Sequence, residues 1–137
     1  MVALAAERNA PRRDGTDYND PVAAATKIFA GALVCLNAAG DATKGATALN
    51  LKVIGRAKAT ADNSAGAAGA ISVETETGVF RFANSAAGDL IARADIGASA
   101  YIVDDQTVAK TNGGGTRSAA GTIVDVDAQG VWIRITR

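Results

Sequence analysis

The stretch Gly69–Asn84, GAISVETETGVFRFAN, restricts the fold of this chain more than any other. Ile71, Val73 and Thr75 fall on one side of an extended backbone, and Ser72, Glu74 and Glu76 fall on the other. After Thr77-Gly78, Phe80 and Phe82 point one way while Val79, Arg81 and Ala83 point the opposite way. A helix would scatter these side chains around its circumference, whereas a strand sorts them. Gly78 marks a bulge or sharp bend, because glycine inside a strand supplies backbone freedom and no side chain to pack. The stretch therefore predicts two short strands, or one bent strand, with a buried face. Two of the chain's three phenylalanines lie here, so a core has to form around them.

The flanking segments read the same way. Residues 22–37, VAAATKIFAGALVCLN, are apolar on both parities: Ile28, Ala30, Ala32, Val34 and Leu36 on one, Phe29, Leu33 and Cys35 on the other. This predicts a strand from about Thr26 onward that is covered on both faces. In a small β domain, one of the two covers can be another subunit. Asn37–Asp41 reads as a turn, and Leu51–Thr60 as a strand kinked at Gly55, with Leu51, Val53 and Ala57 alternating with Lys52, Arg56 and Lys58. Asp62–Gly69 is a loop of turn formers without the Lys-Ser/Thr that a phosphate-binding glycine loop requires. Asp89–Ala94 is the one candidate for a short helix, or for only a turn of one. Ala98–Asp104 and Thr107–Lys110 read as strands around an Asp104-Asp105-Gln106 turn, and Thr111–Ser118 as a flexible loop tip. Ala119–Asp127 places Val124 and Val126 on one face; after a hairpin turn to Gly130, Val131, Ile133 and Ile135 point inward and Trp132 and Arg134 outward. The sum is an all-β barrel or sandwich of short antiparallel strands with at most one short helix.

At 137 residues the chain fits one domain, divided into an extended N-terminal arm over 1–21 and a β-rich domain over 22–137. The arm holds both prolines and too few apolar residues to order by itself, so deletion of Met1–Asp20 is expected to leave the β domain folded. Much of the hydrophobic content is alanine, and aromatics are 4%. Alanine buries little area, and so modest a core points to oligomerisation as a source of stability. Fourteen acidic and fourteen basic residues leave no net field to attract nucleic acid. No run of apolar residues is long enough to span a membrane, and the N-terminus lacks the order of a signal peptide, which implies synthesis in the cytoplasm of the producing cell.

Catalytic patterns are not found. Histidine is absent, and the one cysteine, Cys35, lies in the apolar run ALVCL as a buried structural thiol. Asp14, Asp17 and Asp20 lack the spacing of a calcium loop, and Asp104-Asp105 are neighbours that diverge rather than face each other. The expectation is no enzyme, no metal and no cofactor. What remains are candidate contact residues. The arm is either a tail without a role or a segment that orders against a neighbouring subunit through Arg12, Arg13 and Tyr18. Trp132 is either covered by Arg134 or a loop, or is an interface anchor of the kind tryptophan often provides. Phe29 and Arg134 complete the candidate interface set.

The order of motifs resembles the small capsid cement, or head decoration, proteins of tailed bacteriophages over roughly Ala30–Ile135. It runs through GALVCLNAAGD, LKVIGRAKA, GAISVETETGVFRFAN, ADIGASAYIVDDQTV and AGTIVDVDAQGVWIRI. The Arg/Asp-rich arm before Pro21 is less typical of that family. The resemblance implies a β-rich subunit on the capsid exterior of the virion. It would bind the major capsid protein of the expanded head, commonly as a homotrimer, and staple neighbouring capsomers. The alternative is a virion-surface module for receptor or glycan recognition, which needs a cluster of exposed aromatics and has Trp132, Tyr18 and Tyr101 as candidates.

Overall fold

A computed structural model describes residues 1–137. The chain forms twelve strands: β1 (Asp17–Pro21), β2 (Thr26–Ile28), β3 (Leu33–Leu36), β4 (Ala42–Lys44), β5 (Lys52–Ala57), β6 (Ala61–Asn63), β7 (Ser72–Glu76), β8 (Gly78–Asn84), β9 (Ser99–Ile102), β10 (Thr107–Ala109), β11 (Ala119–Asp127) and β12 (Gly130–Ile135). The fold is all-β. No helix is long and apolar enough to cross a membrane.

The last five strands, β8 to β12, organise as a closed barrel in the order β10-β8-β12-β11-β9. Every pairing in it is antiparallel except β10 on β8, which is parallel and closes the ring. A second sheet runs β1-β7-β5-β3-β4, and β2 pairs with β6 as a small flap. Just past β1, Val22 makes a parallel bridge to Ala42 of β4, so the second sheet curls back towards its own first strand.

Each unit has its own core. The barrel core collects Phe82, Ile91, Ile102, Ile123, Val131, Ile133 and Ile135 with Leu33 and Cys35 of β3. The second core holds Val22, Ile28, Val34, Ile54 and Val73, and four of its nine members are alanines. β3 is the shared wall, with Leu33 and Cys35 entering one core and Val34 the other. Both covers of this doubly apolar strand thus come from the same chain, and neither from another subunit. Phe82 is a barrel core residue as expected, with Phe80 packed at its edge.

Hydrogen bonds sew the units together across this wall. The Leu33 amide donates to the Asp105 carbonyl at 2.8 Å. The loop after β4 lies on the barrel, where Thr47 Oγ1 donates to the Val103 carbonyl and the Leu51 amide donates to Ser118 Oγ.

Several boundaries differ from the sequence expectation. The strand expected from Thr26 is interrupted, because Phe29–Ala32 turn at Gly31 and separate β2 from β3. Two bulges move side chains between faces. One lies opposite Val34–Cys35, where Ile54 becomes a core residue beside Gly55. A Cβ at Gly55 would collide with the Glu76 carbonyl, so a close strand approach requires glycine here. The other lies between Ile123 and Asp125, so Ile123 and not Val124 shares the inward face with Val126. Around Asp89–Ala94, read as a short helix or only a turn, the chain makes two single 3₁₀ turns, Ala87–Asp89 and Arg93–Asp95.

The arm is also shorter than its expected 1–21. Residues 17–21 are β1, and Asp20 is buried. Asp20 accepts two hydrogen bonds from the Arg137 guanidinium and one from Thr75 Oγ1 at 2.6 Å. Arg137 also stacks on the Tyr18 ring, 3.6 Å from its centroid. A deletion reaching Asp20 therefore removes an edge strand and leaves Arg137 and Thr75 without their carboxylate.

Leu33→Ala should cost about 3 kcal/mol in denaturant unfolding, because it opens a void in a well-packed core. Phe29→Ala, on the exposed turn, should change stability by less than about 0.5 kcal/mol. Arg137→Ala should cost about 2 kcal/mol, since it strands a charge-assisted network around Asp20; a value near zero would show that the clasp contributes nothing.

Candidate functional site

The outer wall of the barrel is where exposed apolar side chains and arginines meet. β8 and β12 run antiparallel with Arg81 opposite Trp132 and Val79 opposite Arg134. Because Phe82, Val131, Ile133 and Ile135 take the inward positions, Arg81, Trp132 and Arg134 must point out. The alternation of β12 was readable from its sequence. The cross-strand partner of Trp132 was not, because it depends on register.

Trp132 is half-buried and held by two neighbours. Its indole Nε1 donates to Asp127 Oδ2 at 2.8 Å. The Arg81 guanidinium lies over the ring, 5.6 Å from the centroid, and hydrogen-bonds Gln129. The cover expected from Arg134 comes from Arg81 instead. Arg134 lies against a separate depression lined by Ala119–Thr122. Asp127 closes the β11–β12 hairpin, with Oδ1 accepting from the amides of Gln129 at 2.7 Å and Gly130 at 3.0 Å. The indole hydrogen bond, then the Gln129 amide, hold its carboxyl below the usual 3.8, with Arg81 adding to the effect and desolvation opposing it.

Beside Trp132 runs an open groove lined by Gly31, Arg56, Val79, Phe80, Arg81 and Trp132. Arg56 pairs with Glu76 and lies over the Phe80 ring, 4.7 Å from its centroid. Gly31 also borders a neighbouring depression that contains Phe29. Phe29 is 58% exposed and Val79 39% exposed. The turn that breaks β2 from β3 thus carries Phe29 to the same side as Trp132. Val79, Arg56 and Arg81 are groove residues that sequence reasoning missed. Their only signal was alternation, of Val79 and Arg81 with Phe80 and Phe82 and of Arg56 with Val53 and Ala57, which marks them as outward but not as neighbours of Trp132.

The other candidates lie elsewhere. Arg13 and Tyr18 sit at β1, with the Arg13 guanidinium 4.8 Å from the Tyr18 centroid. Tyr18 is therefore held between two arginines of its own chain, Arg13 and Arg137. Arg12 is exposed in the arm, and Tyr101 is half-buried on β9. The six expected contact residues do not form one site; the structure brings Phe29 towards Trp132 and Arg13 onto Tyr18.

The groove holds no titratable group placed for proton transfer to a bound molecule. Cys35 is enclosed in the barrel core, and burial pushes its thiol up to about 12. No group of three or more His, Cys, Asp or Glu side chains is placed to share a metal ion. The arrangement suits contact with another surface: aromatic and aliphatic area with arginine planes at the rim. Comparison with protein-family models, with curated proteins and with solved structures finds no match.

The Asp127–indole bond gives a pH signature. Its carboxyl is depressed in the folded chain, so the stabilisation is in place above 3.8 and is lost as pH falls through the lower folded value. Trp132 is the only tryptophan, and its emission should change with a midpoint below 3.8, before circular dichroism reports unfolding. Asp127→Asn should abolish the transition, and a wild-type midpoint at or above 3.8 would rule out the bond as the cause.

Proposed function

We propose that this protein is a structural virion component of the cement type. It binds the outer surface of the expanded phage head, contacts the major capsid protein and stabilises neighbouring capsomers, acting as a self-associated subunit, most simply a homotrimer. The observation that carries this reading is the placement of uncovered apolar area. Phe29, Val79 and the half-buried Trp132 lie outside both cores on the barrel side, and Met1, Val2 and Leu4 lie free at the end of the arm. Apolar area left at the surface of a small rigid β body supports a role in docking. The motif order that resembles head decoration proteins supports the particular partner.

The physical mechanism is linkage. Packaged DNA strains the shell, and a subunit whose contacts exist only at the mature capsomer spacing stabilises that spacing by mass action. Individual contacts are modest. A trimer that touches several capsomers gains through effective concentration. A formal net charge of zero limits repulsion between copies crowded on one shell. Residues 1–16 can extend the footprint by about 50 Å when fully stretched.

The test is co-sedimentation with emptied heads. The protein should pellet with expanded shells and remain in the supernatant with unexpanded ones. Equal binding to both, or to neither, would reject the cement role. Binding to host cells or sugars in place of shells would favour the receptor- or glycan-recognition module. Removal of residues 1–11 stops short of β1 and its contacts, and should leave the unfolding midpoint unchanged while lowering shell occupancy.

A further inference from the structure

The Thr111–Ser118 loop between β10 and β11 lies outside the groove and carries a chemically reactive pair. Of the seven asparagines in the chain, only Asn112 is followed by glycine. An asparagine side-chain amide is within reach of the next residue's backbone nitrogen, and attack by that nitrogen closes a five-membered succinimide ring. A Cβ on the next residue hinders the approach, and glycine has none. Asn112 and Gly113 are both exposed. The fold itself demands this glycine. Gly113 has φ +64°, and a Cβ there would lie 2.6 Å from Thr116 Oγ1 and 3.2 Å from Arg117 Nε.

The hydrogen bonds of the loop leave both reacting groups poised. The attacked carbon is Asn112 Cγ, and its oxygen accepts from the Gly115 amide at 3.2 Å. That donor stands where negative charge develops as the nitrogen adds, so the bond strengthens in the transition state. The nucleophile is Gly113 N, which attacks once it has lost its proton. The Thr116 and Arg117 amides both donate to the Asn112 carbonyl, at 3.0 and 3.1 Å. They draw electrons from the Asn112–Gly113 peptide and make its N–H more acidic. That N–H is held only by a long 3.3 Å bond to Thr111 Oγ1. Asn112 Nδ2, the leaving nitrogen, donates to nothing, whereas the side-chain nitrogens of Asn63 and Asn84 are tied to backbone carbonyls.

We propose that Asn112 is a site of spontaneous deamidation in the folded protein. The bond from Gly113 N to Cγ forms, the Cγ–Nδ2 bond breaks, and the Gly113 proton leaves with Nδ2 as ammonia. Water then opens the succinimide. Cleavage between Gly113 N and Cγ gives aspartate at 112. Cleavage between Gly113 N and the former Asn112 carbonyl carbon gives isoaspartate, with the main chain rerouted through Cγ. Either product carries a new carboxylate, so the formal net charge falls by one unit from zero. It arises next to Gly113, against which the Arg117 guanidinium lies. Arg117 Nη1 donates to Asp89 Oδ2 at 3.0 Å, and its buried Nε has no partner. Isoaspartate also displaces the carbonyl that takes the two amides. The reaction needs neither partner nor shell, so it stands apart from the docking role.

The test holds the full chain in mildly alkaline buffer and follows it by isoelectric focusing of the intact protein and by tryptic mapping. Lys110 and Arg117 bracket the loop, so trypsin releases Thr111–Arg117 as one peptide. A more acidic band should grow with time, and this peptide should convert ahead of every other asparagine, into an aspartate and an isoaspartate form. Conversion should be slower in neutral buffer, because Gly113 N must lose its proton. Asn112→Gln, whose longer side chain disfavours ring closure, should remove the acidic band and leave the unfolding midpoint unchanged. A synthetic Thr111–Arg117 peptide gives the same chemistry without the folded loop. The folded chain should convert at a rate within about tenfold of the peptide's, or above it. A slower folded rate, a barrier raised by more than about 1.4 kcal/mol, would show that the loop protects Asn112 and would overturn the proposal. An acidic band that persists in Asn112→Gln, or earlier conversion at another asparagine, would overturn it as well.

Discussion

A strand with apolar side chains on both faces cannot rest on a single core. β3 presents Leu33 and Cys35 on one side and Val34 on the other, and all three are fully buried. The molecule is built to satisfy that demand. A five-stranded barrel closes over one face and a curled five-stranded sheet with its β2–β6 flap closes over the other. Neither core is large, and the second is thin because so much of it is alanine. Sharing a wall lets two modest cores reinforce each other, since apolar area on both sides of one strand leaves water together. The same wall explains the inertness of Cys35, whose thiolate would have to form inside the barrel core.

Aromatic rings are scarce here and are handled in a consistent way. Phe82 is buried, while Tyr18, Phe29, Phe80 and Trp132 each carry a cation over the ring. An arginine or lysine laid on a ring covers apolar area and keeps its charge in water. This distinguishes the surface around Trp132 from the clasp around Tyr18. At Tyr18 two arginines take both the ring and Asp20, and the site is internally complete. At Trp132 the ring is only half covered, Val79 is partly exposed, and Arg81 hydrogen-bonds only the neutral Gln129. The second arrangement is the one with contacts left to make, and the proposed docking role is drawn from it.

Much of the strand content was legible because its signal is local. The period-2 alternation of Ser72–Glu76 and Val131–Ile135 sorts inward from outward residues without any knowledge of neighbours. The turn at Asn37–Asp41 was legible for the same reason, since Asn37 Oδ1 accepts from the amides of Ala39 and Asp41. Alternation misleads wherever a bulge inserts a residue: Val124 was misplaced for that cause, and Ile54 was given no face at all. The candidate site was legible only as single residues. Trp132 and Phe29 stood out, while Arg81 and Val79 did not.

The order of side chains along each strand, the glycines that allow strands to bend and the absence of histidine are properties of the chain itself. They determined an all-β protein with a doubly apolar third strand. Which strands pair, where the barrel closes and which arginine lies on which ring depend on contacts between residues far apart in the chain. A pairing register is chosen by the simultaneous fit of both faces of both strands, and no single segment contains that information. The tertiary structure alone therefore decided that both faces of β3 are covered from within, that Asp20 joins Arg137, and that Trp132 shares its groove with Val79 and Arg81.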